Sequence, residues 1–130
     1  MVLDTSALVA ILLGEPERDQ FIAVLAEAAD PLISAGTLLE ASIVVQSKLG
    51  DDGLADLDEL LATAGVRCVA VDLAQVHAAR SAFARFGKGR HAASMNYGDC
   101  FAYALAKVAQ TPLLFKGDDF GQTDVIAALA

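Results

Sequence analysis

At 130 residues the chain fits a single domain, since domains usually run to about 100–150 residues. Hydrophobic residues make up 55% and charged residues 20%, enough apolar material for a buried core, which excludes a disordered or disulfide-scaffold chain. The net charge of −8 argues at first against a nucleic-acid partner, because phosphate attracts positive charge.

In chain order, Met1-Val2-Leu3 is followed at once by Asp4, with no basic leader and no small-residue cleavage site, so the expected location is cytoplasmic. Val2-Leu3 reads as a very short buried strand. Asp4, Thr5 and Ser6 are all good helix caps, and Ala7 to Leu13 reads as a short helix ended by Gly14 and Pro16. No apolar stretch is longer than that seven-residue run; a membrane span needs about 20 residues, so no membrane is expected. Glu17 to Ala29 predicts a second helix, with Phe21, Ile22, Leu25 and Ala28 at helical spacing.

Asp30-Pro31 breaks that helix, and Leu32-Ile33-Ser34 predicts the second strand. Thr37 is placed to cap a third helix running to Leu49, with Gly50 just past its end. A fourth helix is expected over 52–64, apolar at Leu54, Leu57, Leu60 and Leu61. Val66 to Val71 predicts a strand, Leu73 to Phe86 a helix, and Gly87-Lys88-Gly89-Arg90 a loop. Asp99 to Gln110 is an Ala-rich helix, Pro112 to Phe115 a strand, and Lys116-Gly117-Asp118-Asp119 a turn. Short strands alternating with helices indicate an α/β fold with a mainly parallel sheet covered on both faces. Cys68 and Cys100 form no CxxC pair and read as reduced core residues.

The charge is unevenly spread. No acid falls between Asp72 and Asp99, and that stretch carries Arg80, Arg85, Lys88 and Arg90, four of nine basic residues, with His91 beside them. A basic lip on an acidic body is expected, as a solvated face or an RNA-contacting surface. His77 reads as a packing or surface residue, and Phe83, Phe86, Phe101 and Tyr103 as core rather than base-stacking platforms.

In open parallel sheets, ligands gather outside the carboxyl ends of the strands. Asp4 follows the first strand, Glu40 lies one turn into the helix after the second, and Asp118-Asp119 follow the last. Asp99 opens the helix leading into that last strand. Each has a local explanation: Asp4 and Asp99 as caps, Thr37-x-x-Glu40 as a capping box, Asp118-Asp119 as turn residues. Brought together, the four would repel one another and call for a cation or protonation. With no Cys or His among them, the cation expected is Mg²⁺ or Mn²⁺, which can activate a water toward a phosphodiester.

The motifs carry a resemblance over residues 1–126. Val2-Leu3-Asp4-Thr5-Ser6-Ala7-Leu8 is similar to the opening of PIN-domain nucleases of the VapC toxin type, and Glu40 lies where their second acid is expected. Phe86 to His91 and Asn96 to Ala104 resemble the region of the third acid. Leu114 to Phe120, with Thr123-Asp124, resembles that of the fourth. The resemblance implies a PIN-like three-layer α/β/α sandwich and a single domain. It implies a ribonuclease whose acidic site is Asp4, Glu40, Asp99 and one of Asp118/Asp119, with Asp118 favoured and Asp4 and Asp99 as main metal ligands. Arg85, Lys88, Arg90 and His91 are the candidate RNA contacts, although Ala92-Ala93-Ser94-Met95 is less basic than this subgroup often is. The resemblance also implies a homodimer and a cognate antitoxin whose C-terminal segment occupies the active-site groove.

Other phosphotransfer classes fit less well. A haloacid-dehalogenase-like phosphatase wants a second Asp two residues after the first, where Ser6 stands. A receiver domain wants an acidic pair at the end of its first strand. A non-catalytic PIN-like binding module is the remaining alternative, and convergence of the carboxylates separates it from the nuclease.

Overall fold

The computed structural model describes residues 1–89, 91 and 93–129. Ten elements follow one another: β1 (Val2–Leu3), α1 (Thr5–Leu12), α2 (Arg18–Glu27), β2 (Leu32–Ser34), α3 (Ala35–Thr63), β3 (Arg67–Val69), α4 (Leu73–Phe86), α5 (Tyr97–Ala109), β4 (Leu113–Leu114) and a 3₁₀ turn over Phe120–Gln122. The four strands form one parallel sheet in the order β3-β2-β1-β4.

Side-chain alternation along these short strands builds two cores. Val2, Leu32 and Leu113 face one side, where they meet Ala82 and Phe86 of α4 and Ala102, Tyr103, Leu105 and Ala106 of α5. Leu3, Ile33 and Leu114 face the other, against Leu8 and Ile11 of α1, Phe21 and Leu25 of α2, and Val45 and Leu57 of α3. The result is helix, sheet and helix in three layers. Leu8 and Leu57 are fully buried, and burial of such a side chain contributes on the order of 2 kcal/mol.

The layers follow from connectivity. The chain moves outward from β1 to β2 to β3, then returns to lay β4 on the other edge of β1. Parallel crossovers are right-handed almost without exception, so reversing direction sends the later helices to the opposite face. The reversal point, between β1 and β4, is where such sheets leave a crevice at their carboxyl ends.

The two helices expected over 37–49 and 52–64 are the two arms of α3, broken at Gly50 (φ 71°, ψ −161°), a conformation open essentially to glycine alone. Three local expectations are corrected, the first at the start of α3. Its cap is Ser34, whose Oγ accepts from the Gly36 amide at 3.2 Å; Thr37 is buried in the first turn instead. Cys68 is exposed on the edge strand β3 rather than in the core, because only one neighbour strand covers it. Phe83 is also partly exposed, at 37%.

Candidate active site

Asp4 ends β1 and caps α1 at the same time. Its Oδ2 accepts from the Ser6 amide at 3.0 Å and from the Ser6 hydroxyl at 2.6 Å. The Lys116 amide, just beyond β4, donates to the Ser6 Oγ at 2.9 Å. One serine therefore ties the carboxylate to both strands of the crevice. Asp4 is 4% exposed, and its Oδ1 is buried with no hydrogen-bond partner.

Glu40 reaches the same place from α3. Its Oε1 accepts from the Thr5 hydroxyl at 2.6 Å, a bond between residues 35 apart in sequence. The capping-box reading of Glu40 is thus corrected: Thr5 holds its side chain and Ser34 does the capping. Asp99 comes from α5, at the third position of a helix capped by Asn96. Asn96 Oδ1 accepts from the Asp99 amide, and Asp99 Oδ2 accepts from the Asn96 amide, each at 3.0 Å. Asp99 is thus the acidic half of a capping box rather than the cap itself.

Two glycines permit the approach of α3 and α5. A Cβ on Gly98 would collide with the Glu40 carboxylate, and a Cβ on Gly36 would collide with the Phe101 ring. Each helix presents a glycine in its first turn to the other, so their amino ends close on one recess of about 460 Å³. Asp4, Thr5, Ser6, Glu15, Glu40, Asp99 and Lys116 line it.

The electrostatics follow from burial and crowding. Burial pushes the Asp4 carboxyl above its ordinary value, Glu40 adds to the rise, and the Ser6 bonds oppose it. Burial also drives the Asp99 carboxyl up to about 6, against the bond from Asn96 and with the charges of Asp4, Glu40 and Asp119 adding to the rise. Of the adjacent pair, Asp119 is therefore the acid whose field reaches Asp99. Phe120, stacked at 5.4 Å from Phe115, anchors the loop that carries it. Asp118 and Asp119 are both exposed, and neither lines the recess.

The donor set suits a small hard cation. Asp4 Oδ1 is a buried carboxylate oxygen lacking a partner, and a second carboxylate, Asp99, bears on it electrostatically. Among the described residues no three His, Cys, Asp or Glu side chains are gathered into a closed metal cage. Mg²⁺ commonly takes one or two carboxylates and keeps several waters, so an open pair of acids fits it better than a closed cage would.

The expected basic residues are not drawn into the recess. Arg85 lies over the Phe86 ring at 4.6 Å and 3.6 Å from Asp124. Lys88 borders a separate apolar groove of about 750 Å³ between α4 and α5, with Val76, Phe83 and Tyr97. The His91 ring meets Phe86 edge-on at 5.1 Å, and its Nδ1 accepts from the Ala93 amide. Arg90 lies outside the described residues. Among the described residues the one cation that lines the recess is Lys116, which turn composition alone does not single out. The signal available was its place directly beyond the last strand.

Known proteins resemble this chain in sequence and in fold. The PIN domain family matches residues 1–126. Ribonuclease VapC of Mycolicibacterium smegmatis is 52% identical over 127 residues, 98% of each chain. Ribonuclease VapC30 of Mycobacterium tuberculosis is 48% identical over 125 residues, 96% of this chain and 95% of its own. Among solved structures, Mycobacterium tuberculosis VapC20, described as a sarcin–ricin loop cleaving toxin, superposes with a TM-score of 0.78 at 15% identity, covering 96% of this chain and 95% of that one. VapBC2 of Rickettsia felis, bound to a fragment of its promoter DNA, superposes with a TM-score of 0.76 at 14% identity, covering 97% of this chain and 94% of that one. With the family match over residues 1–126 and relatives at 48–52% identity over nearly its whole length, the chain belongs to the PIN-domain family, on its VapC branch.

Proposed function

We propose that the protein is a metal-dependent endoribonuclease, the toxin of a type II toxin–antitoxin pair, hydrolysing RNA phosphodiester bonds. The observation that carries this reading is the convergence of Asp4, Glu40 and Asp99 from three elements onto one recess at the sheet's reversal point. Independent helix caps would have no reason to be buried on one recess, where burial first and the neighbouring acids second drive Asp99 up to about 6. The ribonuclease names of relatives at 48–52% identity support RNA as the polymer cut.

In this reading Asp4 and Asp99 hold Mg²⁺ or Mn²⁺. The chemistry such an ion supplies when bound is a lowered pKa for a water and compensation of charge on phosphodiester oxygens. The chain's own residues do the positioning. Ser6 fixes Asp4 Oδ2 so that Oδ1 is the oxygen left to bind, and the Asn96 amide fixes one oxygen of Asp99. Thr5 steadies Glu40, whose second oxygen accepts the proton of the attacking water. Asp119, rather than Asp118, is the fourth acid, since its charge bears on Asp99.

RNA, a cognate antitoxin and a second copy of the chain are the proposed partners. The antitoxin is supported by the structural likeness to VapBC2. Among the described residues no helix is long and apolar enough to cross a membrane, and the cytoplasm, where RNA is translated, is the proposed site of action.

The test is cleavage of a mixed RNA pool with Mg²⁺, with Mn²⁺ and with EDTA, beside Asp4→Asn and Asp99→Asn. Cleavage should require the metal and fall by at least about 100-fold in either variant, with circular dichroism unchanged. Full activity in either variant would sink the proposed centre. Inactivity of the folded parent with every metal would favour the non-catalytic module.

A further inference from the structure

The recess poses an electrostatic problem that its acids do not solve. Four carboxylates line it, from Asp4, Glu15, Glu40 and Asp99, and an RNA chain brings one further negative charge per phosphate. A metal ion offsets part of this at the bond being cut, but the flanking phosphates need their own contact. Arg85, Lys88 and His91 are engaged elsewhere or border the other groove. Among the described residues, Lys116 is the only basic side chain lining the recess.

Its placement is over-determined. The Lys116 backbone is bolted to the network around Asp4 through Ser6. Its Nζ lies 3.0 Å from Glu15 Oε2 and 3.3 Å from Glu17 Oε2, both in the turn between α1 and α2. Those carboxylates raise the lysine's pKa further, so it stays cationic. As a mere staple this is weak, because exposed ion pairs contribute about 0–1 kcal/mol. As a presentation device it has a clearer use. An ammonium has three N–H donors; two point at the glutamates, and the side chain remains one-third exposed.

We propose that Lys116 is the RNA-phosphate contact of this recess, its third N–H donating to an oxygen of a phosphate flanking the scissile one. Glu15 and Glu17 are positioning residues that hold the ammonium at the wall. The proposal rests on the ribonuclease reading and assigns the contact to β4 rather than to the basic stretch 80–91.

The experiment measures affinity for a short fluorescent single-stranded RNA of random sequence, as a function of salt, in the Asp99→Asn background. Lys116→Met should weaken binding about tenfold and reduce the slope of log K against log salt by about one. Lys116→Arg should keep both. In a Glu15→Gln/Glu17→Gln background, where the acids' own repulsion of RNA cancels from the comparison, Lys116→Met should weaken binding by a smaller factor, because the ammonium it removes is no longer held at the wall. Melting temperatures identify any variant that fails to fold, and where Lys116→Met does, Lys116→Gln carries the test. Parent-like affinity and slope in the folded lysine variant, or an undiminished loss in the glutamine background, would overturn the assignment. Failure of the parent to cleave RNA would instead count against the ribonuclease reading itself.

Discussion

Asp4 serves two demands that oppose each other. As a helix cap it wants its oxygens bonded to amides; as the proposed metal ligand it needs one of them bare. Ser6 resolves the conflict by taking Oδ2 with both its amide and its hydroxyl, leaving Oδ1 buried and unpartnered. Asp99 divides its carboxylate in a similar way with Asn96. Such sites cost stability when empty. The raised pKa of Asp99, about 6, means the carboxyl favours the folded state while protonated. That contribution is complete below about pH 4, the unfolded value, and is lost as pH rises through about 6. Asp99→Asn is therefore expected to be more stable than the parent at pH 7.5 without divalent ions, by on the order of 1 kcal/mol after solvent screening. In thermal melts this is about 3–5 °C, and the difference should vanish at pH 4. Added Mn²⁺ should raise the melting temperature of the parent and barely move the variant. A variant less stable than the parent at pH 7.5 would contradict the strain assigned to this carboxyl.

At the scale of elements, the site is a meeting of two helix starts. Gly36 and Gly98 each lie beneath a side chain of the other helix, and their substitutions should behave differently. In Gly98→Ala the added Cβ meets the end of the Glu40 side chain, which can swing away from Thr5. Alanine's better helix propensity, about 1 kcal/mol, offsets the crowding. RNA cleavage is expected to fall at least about tenfold with the melting temperature nearly unchanged. In Gly36→Ala the Cβ meets the Phe101 ring from its Cγ outward, so the whole ring and not just its tip must shift, and a loss of about 1–3 kcal/mol is expected. Equal destabilisation by both would argue against this interlock. The strands, the helices and their order were legible from short apolar runs and glycine or proline stops. Thr37-x-x-Glu40 misled because spacing presents a local option without choosing it. Ser34 had already filled the cap, and Thr5, 35 residues away, claimed the glutamate. The basic stretch misled for the same reason: a count along the chain gives no direction, and Arg85 turned toward Asp124 instead.

Across the whole molecule, the segment after β4 must be held down for Asp119 to act on Asp99. Phe120 does this through Phe115, and Asp124 does it farther along. Its Oδ1 accepts from the Tyr103 hydroxyl and its Oδ2 from Lys107 Nζ at 3.1 Å. Burial and that bond keep the tyrosine well above the ordinary phenol range, so it remains a donor. Tyr103→Phe removes a bond to a charged acceptor and is expected to cost about 1–3 kcal/mol by chemical denaturation. No measurable loss would mean that Lys107 and Arg85 hold Asp124 unaided. That Asp119 rather than Asp118 bears electrostatically on Asp99 was illegible in the sequence, because turn composition is the same for both.

The strand order has a consequence in time. β1, the first strand in the chain, lies in the interior of the sheet and pairs with β4, which begins at Leu113. During synthesis Asp4 emerges well before Lys116, which contributes a wall of its recess. A product that ends before β4 therefore has the first acid without the pocket. An RNA-cutting activity built this way stays silent beside the messenger that encodes it until β4 has been made and has found β1.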